Sequence, residues 1–80
     1  MFINKTEKGT NNICGKAIFE YRQKHKISQR ELADMLQLAG LDIDKNAVQR
    51  IEAGKRFVTD IELKYLSKTL KLTYKELLDE

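Results

Sequence analysis

Ser28-Gln29-Arg30-Glu31, Thr59-Asp60-Ile61-Glu62 and Thr73-Tyr74-Lys75-Glu76 repeat one pattern, S/T-x-x-E, within a chain of 80 residues. In this pattern the hydroxyl accepts from a free amide at the start of a helix, and the glutamate reaches back to the amide of the capping residue. Each copy therefore predicts a helix start. Asp44 supplies a fourth cap ahead of Lys45, and Asn11 or Asn12 opens a helix whose stripe is Cys14, Ala17, Ile18 and Tyr21 at i, i+3, i+4, i+7. Gly40 and Gly54 are suited to end the second and third helices, and Lys24, His25 and Lys26 put positive charge at the end of the first. With no proline and no alternating apolar pattern, a sheet is not expected.

The stripes Leu32/Ala33/Leu36, Val48/Ile51, Ile61/Leu66/Leu70 and Leu77/Leu78 would close one core. The expected fold is all-α, a five-helix bundle over residues 12–80, preceded by a flexible arm over residues 1–11. A domain of this size buries only about 60% of its unfolded surface, which leaves little room for a deep catalytic cleft. The single cysteine cannot form an internal disulfide, and with one histidine there is no Cys/His metal cluster or base-plus-ligand set. No cofactor or metal is implied, and an enzyme is not expected. Cys14 lies on the core stripe and reads as a small buried hydrophobe rather than a redox switch. Asp44 is explained by capping, and Asp42 beside it has no base or metal to work with.

The opening stretch MFINKTEKGTNN has no apolar run of signal-peptide or membrane-span length, so a cytoplasmic protein with no membrane partner is expected. Fifteen Lys+Arg against twelve Asp+Glu give a net charge of +3, consistent with a polyanion partner without demonstrating one. Charge placement has to decide. Over residues 45–53, Ala47, Val48 and Ile51 line one side of a helix, while Lys45, Asn46, Gln49 and Arg50 face away. A B-DNA major groove, about 12 Å wide, admits one helix, and Asn, Gln and Arg have the geometry for bidentate pairing with adenine or guanine. A solvated helix surface is the plain alternative, and composition alone favours it.

The segments GKAIFEYRQKHKISQRELADML, NAVQRIEAGKR and IELKYLSKTLKLTYKELL change that balance. Taken in order they resemble the helix-turn-helix regulators of the Cro/phage-repressor (XRE) family, over about residues 12–79. The matching features are Arg22 ahead of S-Q, Ser28-Gln29 opening the second helix, the small Ala33 within it, and I-E-x-G-K after the third. The resemblance implies a lambda-repressor-like helix-turn-helix bundle with double-stranded DNA as partner. It places base contacts at Lys45, Asn46 and Arg50, with Ala47 close enough to touch a thymine methyl and Gln49 beside them. It also implies that Gln29 clamps the DNA backbone at the start of the second helix, and that Arg22 and Glu52 form an ion pair joining the first helix to the end of the third. Lys55 and Arg56 suit phosphates at the far end of the groove, and Arg30 is either a further phosphate contact or an ordinary exposed residue. One departure from the family pattern is QLAGLDIDK, residues 37–45, which makes the connection between the two helices longer than usual. Leu38, Leu41 and Ile43 are expected to tuck it onto the core.

The function expected is that of a sequence-specific DNA-binding transcriptional regulator, a repressor, reading the major groove with residues 45–53. The alternative is an antitoxin-like module that binds a toxin protein and also binds DNA. A homodimer, at least on DNA, is expected because one helix reads too few base pairs to stand out from a genome's competing sites. Tyr74, Leu77 and Leu78, at i, i+3, i+4, are the expected self-association patch, with Leu72 or Tyr65 at its edge.

Overall fold

A computed structural model describes residues 5–78 and contains five helices: α1 (Gly15–His25), α2 (Gln29–Leu38), α3 (Lys45–Glu52), α4 (Asp60–Leu70) and α5 (Tyr74–Leu77). All three S/T-x-x-E stretches form reciprocal caps. Ser28, Thr59 and Thr73 each accept from the amide of Glu31, Glu62 or Glu76, and each glutamate accepts from the capping amide. Asp44 Oδ1 accepts from Ala47 N at 2.8 Å and starts α3. For α1 the capping position is Cys14, whose side chain makes no cap, and Asn12, two residues earlier, accepts from Gly15 N at 2.9 Å through its Oδ1.

The helix ends follow one geometry. At the end of α2, Leu41 N donates to Leu36 O and Gly40 N to Gln37 O; at the end of α3, Lys55 N donates to Arg50 O and Gly54 N to Ile51 O. Both glycines have positive φ, +109° and +76°, as this closure requires. Lys26 and Lys71 take the same left-handed conformation after α1 and α4, at φ 55° and 56°. These two stops carry no glycine signal.

The core joins Cys14 and Ile18 of the first segment to Leu32, Ala33 and Leu36 of α2, Val48 and Ile51 of α3, Leu66 and Leu70 of α4, and Leu77 of α5. Each fully buried aliphatic contributes about 1.5–3 kcal/mol of burial. Helix α2 packs on α3 and α4, α1 on α3, and α5 against α1 and α4. Burial of the Cys14 thiol pushes its pKa up to about 11.

Several sequence expectations need correction. Ile61 is 66% exposed, because it lies two residues, or about 200°, around α4 from the core-packed Leu63. Leu38, two residues beyond buried Leu36, is likewise turned outward and 90% exposed. The connection between α2 and α3 is instead held by Ile43, which is buried, by half-buried Leu41, and by a 2.7 Å hydrogen bond from Gln37 Nε2 to Ile43 O. Leu77 is completely buried, since a one-turn helix offers one apolar anchor and the core takes it. It is unavailable for a self-association patch, from which Tyr74, 50% exposed, and half-buried Leu78 remain. Within the segment expected to be a flexible arm, hydrogen bonds are present from Thr6 onward, described below; residues 1–4 of that arm lie outside the described residues.

Candidate nucleic-acid interface

Helix α3 has two faces because its eight residues alternate contact with the core and with solvent at helical spacing. Val48 and Ile51 are buried, and half-buried Ala47 packs against the same core. Lys45, Asn46, Gln49 and Arg50 are all exposed, and none of their side chains makes a hydrogen bond within the described residues. The face thus offers long polar side chains with unused donors and acceptors, on a helix whose back is fixed by α1 and α2.

The end of α3 is held by charge. Arg22 of α1 donates from Nε to Glu52 Oε2 at 2.8 Å and from Nη2 to Glu52 Oε1 at 2.9 Å, a bidentate pair. Its Nη1 donates to Ile27 O in the turn before α2 at 3.2 Å, and its guanidinium lies 5.6 Å from the centre of the Phe19 ring. The side chains of Arg22 and Glu52 are only 14% and 6% exposed. Hydrogen bonding to Glu52 holds the Arg22 pKa above its ordinary value. Gln29, first residue of α2, donates from Nε2 to the same Glu52 Oε1 at 3.2 Å. One carboxylate therefore joins α1, α2 and α3.

The candidate phosphate ligands differ in their freedom. Arg30 and Lys55 are exposed, with no side-chain hydrogen bond inside the described chain. Gln29 is half-buried and tied to Glu52. The Arg56 guanidinium is gripped by Glu62, with Nη1–Oε1 at 2.9 Å and Nη2–Oε2 at 2.8 Å, and Nη1 also donates to Phe57 O at 3.2 Å. Arg56 hydrogen bonding holds the Glu62 carboxyl below the ordinary carboxylate value, and Glu62 raises the Arg56 pKa in turn. Arg56 thus braces the turn between α3 and α4.

Sequence reasoning missed a group of residues at this junction. Asn12 Nδ2 donates to Ile51 O at 3.0 Å and to Arg56 O at 2.8 Å. Asn11 donates from its backbone to Gly54 O at 2.7 Å and from Nδ2 to Lys55 O at 2.9 Å. Gly15 passes so close to Ile51 O that a Cβ there would collide with it. The side-chain hydrogen bonds of Asn11 and Asn12 span 39–44 residues of sequence, so no local pattern announces them.

A helix-turn-helix family model matches residues 18–77, which includes all of α2, α3 and α4. Among curated proteins and solved structures no significant match is found. Among the described residues, no helix is long and apolar enough to cross a membrane. The buried α2–α3 packing, the polar outer face of α3 and the family match over three-quarters of the chain agree, and the chain belongs to the DNA-binding helix-turn-helix family of the XRE, lambda-repressor-like type.

Proposed function

We propose that this protein is a sequence-specific transcriptional repressor that inserts α3 into the major groove of promoter DNA. The observation that carries the reading is the exposed, hydrogen-bond-free set Lys45, Asn46, Gln49 and Arg50, directly opposite the buried Val48 and Ile51. Arg50 and Lys45 suit guanine O6/N7, Asn46 and Gln49 suit adenine N6/N7, and Ala47 at the edge of the face suits a thymine methyl. Gln29 and Arg30 at the first turn of α2, where free amides and the positive helix end attract anions, bind one stretch of phosphates. Lys55 binds phosphate at the other end of the groove. Arg56 contributes there mainly by holding the turn, because Glu62 already occupies two of its guanidinium nitrogens.

The protein works in the cytoplasm as a homodimer, at least on DNA. Two copies about a two-fold axis read half-sites about 34 Å apart, which supplies the discrimination one helix lacks. Selection of binding sites from a randomised duplex library tests the reading. The expected outcome is a pseudo-palindrome with half-sites one helical turn, or a multiple of it, apart; recovery of no common sequence would overturn it.

A further inference from the structure

We propose that Thr10, Asn11 and Asn12 form a strap that positions the phosphate-binding turn after α3, making the N-terminal segment a working part of the DNA interface. The inference rests on the proposed phosphate contact of Lys55. The turn at residues 54–56 has its backbone carbonyls taken, one after another, by two side chains and one amide of this segment. Asn11 N binds Gly54 O, Asn11 Nδ2 binds Lys55 O, and Asn12 Nδ2 binds Arg56 O. The same Asn12 amide also holds Ile51 O, inside the last turn of α3, while its Oδ1 accepts from Gly15 N, the first residue of α1. One side chain thus fixes the end of α3, the turn beyond it and the start of α1 relative to each other.

Thr10 completes the strap by lying directly over Gly54: a Cβ at residue 54 would meet Thr10 Cγ2 at 2.6 Å and Thr10 Cβ at 2.8 Å. Thr10 is itself fixed, its Oγ1 donating to Asn12 O at 2.9 Å and its backbone N and O both bonded to Thr6. Nothing else in the described residues bonds the carbonyls of Gly54 and Lys55. Lys55 is exposed and its side chain makes no hydrogen bond among the described residues, so the place from which it reaches a phosphate is set by its backbone. The strap adds to the Lys55 N–Arg50 O bond a hold on the carbonyl side of that backbone, and so fixes where the lysine stem begins. Base readout is not its task, because Lys45, Asn46, Gln49 and Arg50 lie on the outer face of α3 and take no hydrogen bond from it.

The test compares wild type, Asn11→Ala, Asn12→Ala, Lys55→Ala and the Asn12→Ala/Lys55→Ala double variant. Each is titrated with a duplex recovered by selection and with a random-sequence duplex of equal length, over a range of salt, with a thermal melt to show that it is folded at the assay temperature. Losing one phosphate contact flattens the slope of log affinity against log salt by about 0.9. Asn12→Ala should flatten the slope by that amount, weaken both duplexes by the same factor and leave their ratio unchanged. Asn11→Ala should act in the same direction and less. Lys55→Ala should then produce little further change in the Asn12→Ala background. If Lys55→Ala has its full effect there, the strap is overturned while the Lys55 contact stands. If Lys55→Ala alone leaves the slope unchanged, the phosphate role of the turn is overturned and the strap with it. Should Asn12→Ala fail to fold, Asn11→Ala, which removes one exposed hydrogen bond, is paired with Lys55→Ala in the same cycle, where full additivity is again the overturning result.

Discussion

Replacing Arg22 by alanine removes two hydrogen bonds and a full charge from Glu52, a carboxylate with only 6% of its side chain exposed. Gln29 is then its one remaining side-chain donor among the described residues. Glu52 is also the last residue of α3, where the negative end of the helix dipole disfavours another negative charge. Breaking a buried pair from one side costs about 3–5 kcal/mol, and the 14% exposure of Arg22 puts this case near 3 kcal/mol. A domain of this length has a total stability of about 4–12 kcal/mol, so the loss is a large share of it. The melting temperature should fall by about 12–24 °C. Glu52→Ala should cost less, about 1–2 kcal/mol, because the long arginine side chain can swing to water and keep its bond to Ile27 O. A coupling of about 1–2 kcal/mol then puts the double variant near 3 kcal/mol, below the sum of about 4–5 kcal/mol. Urea unfolding of the four proteins measures the cycle. Additive single effects, or a Glu52→Ala cost larger than that of Arg22→Ala, would refute the reasoning.

The Arg56–Glu62 pair should appear in the pH dependence of stability. The folded Glu62 carboxyl lies below its ordinary value, so its contribution is complete above about pH 5 and lost as pH falls through the folded value. The stability gap between wild type and Glu62→Gln should therefore be about 1–2 kcal/mol at pH 7 and shrink toward pH 3; a gap constant over that range would contradict the pairing. Leu38→Ser should change stability by no more than about 0.5 kcal/mol in urea unfolding, because the side chain is already in water. Leu36→Ala, two residues away and fully buried, should cost about 2–5 kcal/mol.

The helix starts were legible because a capping box is written within four adjacent residues, and Ser28/Glu31, Thr59/Glu62 and Thr73/Glu76 all form as read. Gly40 and Gly54 were legible because a left-handed helix stop favours glycine at that one position. The end of α1 was marked by the basic run Lys24–Lys26, but the left-handed conformation of Lys26, and the whole stop at Lys71, were not: a lysine held in the left-handed region by surrounding structure leaves no mark in its own identity. Ile61 and Leu38 show that hydrophobicity without correct helical phase does not predict burial. Leu77 shows the converse error, a residue read both as core and as self-association patch when a single anchor can serve only the core. At the interface, the outward set on α3 followed from periodicity alone. The grip of Glu62 on Arg56 and the reach of Asn11 and Asn12 to the end of α3 did not. They depend on how distant segments come together, which only the folded chain specifies.

The central claim, that α3 reads bases while its flanks hold phosphates, is tested most directly by measuring one ratio. Affinity for a selected duplex is divided by affinity for a random duplex at fixed salt, for wild type, Arg50→Ala and Lys55→Ala. Arg50 is exposed and without a partner within the described chain, so its removal should leave the fold intact. A lost base contact should cost about 1–3 kcal/mol on the selected duplex and much less on the random one, lowering the ratio by about 5- to 150-fold. Lys55→Ala should weaken both duplexes and leave the ratio where it was. An Arg50→Ala ratio equal to that of wild type would contradict the assignment of α3 as the recognition helix.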